Sequence, residues 1–182
     1  MKKILSLAFM LLVAAFAVDA SAQSSKLVGK WNADVPAELL ETGMFSTGDV
    51  KFTFEFESDG DCEIKILVGT TQALDASISL AFKLYMEFDY DWILSGDKLT
   101  MSNAEIDMEL QEFKFIPSSP ELDSMLPMIK QQIESEFNKE KGHMASQMVA
   151  SDMKVNFVDD NTIVITPLDE TTPISFTLRR VK

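Results

Sequence analysis

The sequence is short of the side chains on which most catalytic and metal chemistry is built. It has one histidine, His143, and one cysteine, Cys62. With no nucleophile elbow, P-loop or metal-hydrolase spacing either, it shows no recognisable catalytic triad and too few imidazoles for a histidine-rich metal site. A single cysteine forms no internal disulfide, so Cys62 is expected to be a buried, inert thiol in a strand. Basic charge is scarce as well: 16 Lys and Arg stand against 29 Asp and Glu, a net charge of −13. Nucleic acid and anionic membrane surfaces repel such a chain. Seven glycines and six prolines in 182 residues leave no room for low-complexity linkers, and no internal repeat is visible.

The N-terminus reads as a targeting segment. Lys2 and Lys3 precede an apolar run from Ile4 to Val18, which ends in the small-residue site "ASAQ" at Ala20 to Gln23. The run is short for a membrane span and no stop-transfer pattern follows. Residues 1–23 are therefore expected to be a cleaved signal peptide, and Cys62 lies too far on to anchor a lipid at the new terminus. Removing 23 of 182 residues leaves 159, and two Lys and one Asp leave with them, so 14 basic against 28 acidic residues give −14. The expected mature protein is periplasmic or secreted, a single domain over residues 24–182.

Alternation of apolar and polar residues fills most of that domain. "DVKFTFEFES" turns Phe52, Phe54 and Phe56 one way and Lys51, Thr53, Glu55 and Glu57 the other. Asp59-Gly60 makes a tight turn into a strand from Cys62 to about Gly69, carrying Ile64 and Ile66. "ISLAFKLYMEFDYDW", residues 78–92, places eight large apolar side chains at every second position, from Ile78 to Trp92. Straight, it would extend roughly 50 Å, so it must bend or be broken by a bulge. "SGD" at Ser95 to Asp97 turns it into "KLTMS", and a further run carries Ile106, Met108 and Leu110 towards Phe115. After Pro117 the period changes to 3.6. Ser124 is the expected N-cap, Leu126, Ile129, Ile133 and Phe137 form one stripe, and Gly142 is the expected stop, with a second helical piece over residues 143–150. "MKVNFV", "TIVIT" and "ISFTLRRV" return to strands. The fold expected is mainly β, an antiparallel barrel of eight or nine strands with a helical insertion at about 119–150 before the last strands; closure removes edges that would otherwise aggregate.

Four stretches carry a family resemblance: "LVGKW" at Leu27 to Trp31, "F.F..DG" in the first hairpin, the aromatic strand running into "GDKLT", and the terminal "FTLRRV". The chain resembles lipocalin-like (calycin) barrels, most of all those secreted by Bacteroidetes, which share the Gln-ending signal site. It departs from lipocalins in having its helix between strands rather than after the barrel. The resemblance implies that Trp31 and Arg180 form a structural plug at one end, which their shared inward parity allows through a cation–π contact; Arg179 is the alternative partner. It also implies non-enzymatic binding of a small, lipid-like hydrophobic molecule inside the barrel, with no cofactor.

The residues that would wall such a site are Phe52, Phe54, Phe56, Ile64, Ile66, Leu80, Phe82, Leu84, Met86 and Phe88, with Met125 and Ile129 on a helical lid. An eight-stranded barrel is just wide enough to be filled or to hold one small molecule. The alternative is therefore an interaction or structural domain with a filled core. Three rivals run against the pattern. A lipid-facing barrel would turn its apolar side chains outward, whereas Lys83, Glu87, Asp89 and Asp91 here alternate with the apolar set and suit water. Glu87, Asp89 and Asp91 align at every second position, as a solvated strand face or a weak calcium site would. His143, Met144 and Met148, with Met125, Met128 and Met153 nearby in sequence, suit Cu(I) or the gap-filling habit of methionine; no metal site is assigned.

Overall fold

A computed structural model describes residues 23–35, 50–74, 77–147, 151–168 and 175–182. The expected signal peptide, apart from its last residue, lies outside the described residues. A helical turn over residues 23–27 leads into β1 (Gly29–Ala33), β2 (Val50–Phe56), β3 (Asp61–Ala73), β4 (Ser79–Ser95) and β5 (Lys98–Ile116). Two helices follow, α1 (Pro120–Asp123) and α2 (Leu126–Gln147), and then β6 (Ser151–Asp159), β7 (Thr162–Pro167) and β8 (Phe176–Arg180). Each strand pairs antiparallel with the next, and β8 pairs with β1, so eight strands close into a ring. The expected barrel is present, and its count is eight because residues 98–116 form one strand.

The tight turns sit where glycine permits positive φ: Gly60 at 105° between β2 and β3, and Gly96 at 63° between β4 and β5. Trp92 fastens the first of these turns, its indole Nε1 donating to the carbonyls of Glu57 (3.2 Å) and Asp61 (3.0 Å). β4 runs unbroken for 17 residues. The irregularities fall where it pairs with β5, between Lys83 and Leu84 and between Asp89 and Asp91. β5 carries one extra residue at each, so the residues paired with the apolar face of β4 change parity along it: Leu99 and Met101, then Ile106, Met108 and Leu110, then Phe113 and Phe115.

The ring is asymmetric in height. Among the described residues, β5 meets β6 over four residue pairs, from Lys98↔Lys154 to Met101↔Ser151. Below that seam the ring is complete and packed with Trp31, Phe52, Phe54, Phe56, Trp92, Leu94, Leu99, Met101, Val155, Ile163, Ile165 and Leu178. Phe56 meets Trp92 edge to face at 5.5 Å, and Phe176 closes on Phe52 and Phe54 at 5.7 and 6.1 Å. Above it β3, β4 and β5 continue as a three-stranded sheet, with α2 packed on β5 where a further strand would lie.

Two helix expectations are corrected. Ser119, not Ser124, is the N-cap, and it caps α1: its Oγ accepts from the Leu122 amide at 3.3 Å. Ser124 ends α1, its hydroxyl donating to the Glu121 carbonyl at 2.7 Å. Gly142 does not stop α2, which runs on to Gln147 and absorbs most of the second piece expected over residues 143–150. Glycine inside a helix costs only about 1 kcal/mol relative to alanine, too little by itself to end one. The stripe Leu126, Ile129, Ile133 and Phe137 is half-buried, as its spacing predicts.

Candidate functional site

The wall residues identified from sequence occupy one continuous surface, assembled by register. Phe52 lies opposite Ile66 and Phe54 opposite Ile64; Ile64 and Ile66 lie opposite Phe88 and Met86; Leu84, Phe82 and Leu80 extend the row upward. That surface has two parts. Phe52, Phe54, Phe56 and Phe88 are sealed in the interior, each at most 5% exposed. Ile64, Ile66, Leu80, Phe82, Leu84 and Met86 are only half-buried, as is Ile129 on α2, and Met125 is exposed at the junction of α1 and α2. Sequence reading does not assign the opposite part of the wall to the site. Val68 on β3 and Ile106, Leu110 and Phe115 on β5 are buried beside it. The β5 residues are obscured in the sequence by the parity changes at its two bulges.

At the other end of the ring, Trp31 is buried and donates Nε1–H to the Leu27 carbonyl at 2.8 Å. Arg180 Cζ stands 4.2 Å from the centre of its ring. The guanidinium also donates to the carbonyls of Lys26, Val28 and Asp160, at 2.5, 2.9 and 3.2 Å. Arg180, and not Arg179, is the partner of Trp31; Arg179 turns outward to Asp34 at 3.0 Å. Gly29 has a φ of 128°, which residues with a Cβ rarely adopt, and a Cβ there would also lie 2.7 Å from Arg180 Nη1.

The outer face of the sheet is acidic. Glu63, Glu87 and Asp89 bring carboxylate oxygens within 4.8 Å of one another. Asp91, the third member of the aligned set, instead accepts a hydrogen bond from the Asn103 amide. Lys65 donates to Glu63 at 2.5 Å and the Tyr85 hydroxyl donates to Glu87 at 2.5 Å. Loss of solvent, reinforced by contact with Glu87, holds the Glu63 carboxyl above its usual range against the pull of Lys65. Partial burial and then the charges of Glu87, Glu105 and Asp107 raise Asp89, while the bonds from Tyr85 and Glu63 lower Glu87. An adjoining surface cleft of about 370 Å³ is lined by Glu57, Asp61, Asp91 and Glu105 among others. None of the twelve wall residues lines it. Among the residues considered for Cu(I), Met125 and Met128 are exposed on the helical segment and Met153 packs against the ring core; the side chain of Met144 and all of Met148 lie outside the described residues.

No described helix is long and apolar enough to cross a membrane. The outward positions of the ring carry Lys30, Lys51, Glu55, Lys65, Glu87 and Asp89 together with the exposed Ile93 and Val158, while Phe52, Phe54, Phe56, Leu99, Ile163 and Ile165 are buried inside it. No protein-family model matches the chain, and no curated protein matches it.

Proposed function

We propose that the chain binds one small, apolar, lipid-like molecule without chemistry, in the periplasm or outside the cell, and that it does so in the upper half of the barrel. The observation that carries the reading is the division of the apolar row of β4, buried at Phe88, Trp92 and Leu94 and half-buried from Met86 to Leu80. Below it the side chains are packed together. Above it Leu80, Phe82, Leu84 and Met86 remain half-buried on the face they share, beside the buried Val68, Ile106, Leu110 and Phe115. Four large apolar side chains left partly wet in one row are costly at about 25 cal/mol per Å², and covering them with a ligand recovers that free energy. The lipocalin-like resemblance of the Gly29-x-Trp31 strand and its Arg180 partner points the same way.

The filled lower ring favours the competing reading, an interaction domain with no ligand. Titration with N-phenylnaphthylamine, a neutral apolar dye, separates the two. Saturable binding is expected, weakened about ten-fold or more by Phe82→Ser, since removing a buried phenyl ring costs about 2 kcal/mol. Ile93→Ser on the outward face of β4 should leave it unchanged. Absence of saturable binding, or equal affinity in Phe82→Ser, would reject the ligand reading in favour of the filled domain.

A further inference from the structure

We infer that α2 is a strap along the β5 edge of the upper apolar face, able to lift from β5 while the ring stays closed. Its purpose rests on the apolar-ligand reading; its geometry does not. Every strand-to-strand pairing of the ring is complete without it, and the packed core includes no described α2 residue. No described α2 side chain is buried, and its apolar stripe is half-buried throughout. Beneath it, on the strand whose far edge has no strand partner above Met101 among the described residues, Ile106, Leu110 and Phe115 are nonetheless sealed, at 1, 4 and 6% exposure. α2 is the described element packed along that edge.

Besides the half-buried apolar stripe, two polar attachments among the described residues tie it to β5. Lys130 Nζ donates to the Leu110 carbonyl at 3.0 Å, satisfying a backbone group that a neighbouring strand would otherwise take. Lys141 pairs with Asp107, an outward residue of β5. Exposed ion pairs of this kind are weak, and a half-buried helix stripe is a looser hold than a core. Segments with few buried contacts open locally, far below the free energy of global unfolding. Lifting α2 exposes Ile106 and Leu110 and widens access to Leu84 and Met86, which pair with Leu110 and Met108 across β4 and β5. Phe56, Trp92 and Leu99 stay packed below.

The test uses a buried thiol as a reporter. In Leu110→Cys the introduced thiol lies beneath α2, while Cys62, part of the packed ring core, is the internal reference for global opening. With a small thiol reagent, the introduced thiol is expected to be labelled at least ten-fold faster than Cys62. Adding Lys141→Ala should raise the rate at the reporter alone, about two- to five-fold, the factor expected for losing one exposed ion pair. The same substitution should speed dissociation of N-phenylnaphthylamine by a similar factor. If Leu110→Cys does not fold, Ile106→Cys takes its place. Labelling of the reporter at the Cys62 rate, or at a rate indifferent to Lys141, overturns the strap whatever the dye does. Gated labelling without dye binding leaves the strap standing and rejects the ligand reading instead.

Discussion

Arg180 is the most testable feature of the ring because its contacts are several, local and chemically distinct. Replacing it with Leu removes the cation from the face of Trp31, an interaction of about 1 to 2 kcal/mol when partly desolvated. It also removes the donors to three carbonyls. Those of Lys26 and Asp160 lie at exposed contacts and rehydrate, whereas the Val28 carbonyl is partly buried and loses about 1 to 2 kcal/mol. The sum is about 3 kcal/mol. With a urea dependence of about 2 kcal/mol per molar, the unfolding midpoint should fall by about 1.5 M, read from the fluorescence of Trp31 and Trp92. Arg180→Lys keeps the charge but not the fork that reaches three carbonyls, and should lose about half as much. Arg179→Leu, which breaks an exposed pair with Asp34, should cost less than about 1 kcal/mol. Equal midpoints for Arg180→Leu and Arg179→Leu would refute the assignment of a structural plug, and so would additivity of Arg180→Leu with Trp31→Phe in a double-mutant cycle.

Three further outcomes follow from the same geometry. Gly29→Ala puts a Cβ on a residue held at a φ of 128°, a backbone conformation strained for any residue but glycine, and should destabilise by about 1 to 3 kcal/mol; most of that loss should persist in an Arg180→Leu background, because the 2.7 Å approach to Nη1 is to the movable tip of the arginine. Burial raises the Cys62 thiol well above its ordinary range, so native protein should resist alkylation at about pH 8 and react stoichiometrically once unfolded in guanidinium; rapid native reaction would contradict its burial. Asp89 titrates above its unfolded value, so the folded state binds this proton more tightly, and the ionised group opposes folding at neutral pH but not below the unfolded pKa. Asp89→Asn should therefore raise the urea midpoint at neutral pH by a small amount, under about 1 kcal/mol after solvent screening, and the gain should vanish as the pH falls through the Asp89 pKa to below about 3.5.

The parts of this fold that sequence reading captures are those where a strict period survives. Phe52, Phe54 and Phe56 alternate without interruption because β2 pairs in register with both neighbours, and the apolar row of β4 from Leu80 to Trp92 stays on one face because that strand carries no extra residue of its own. β5 reads as two runs because two extra residues exchange its faces, and nothing in the local sequence distinguishes a bulge from a turn there. The long helix reads as shorter because Gly142 has stop chemistry, yet α2 runs through it. For the acidic cluster the obstacle is different. Glu87 and Asp89 are visible as neighbours on one strand, but Glu63 joins them only through the β3–β4 register, Glu63↔Asp89, which is set by a turn many residues away. The division of the apolar row into packed and half-buried parts is beyond the sequence for the same reason: it depends on the height at which β6 leaves β5.

That short seam also bears on how the chain reaches its native state. β1 through β5 form by successive pairings between neighbours, and β6 through β8 likewise, so each half assembles through local contacts. Joining them requires Met101 to find Ser151 and Trp31 to find Arg180, partners 50 and 149 residues apart. Loop closure over such distances is the slow part of folding a β topology. The four residue pairs of the seam are therefore expected to form late, and mutations at Leu99 and Met101 should act on the rate of unfolding more than on the rate at which the first hairpins appear.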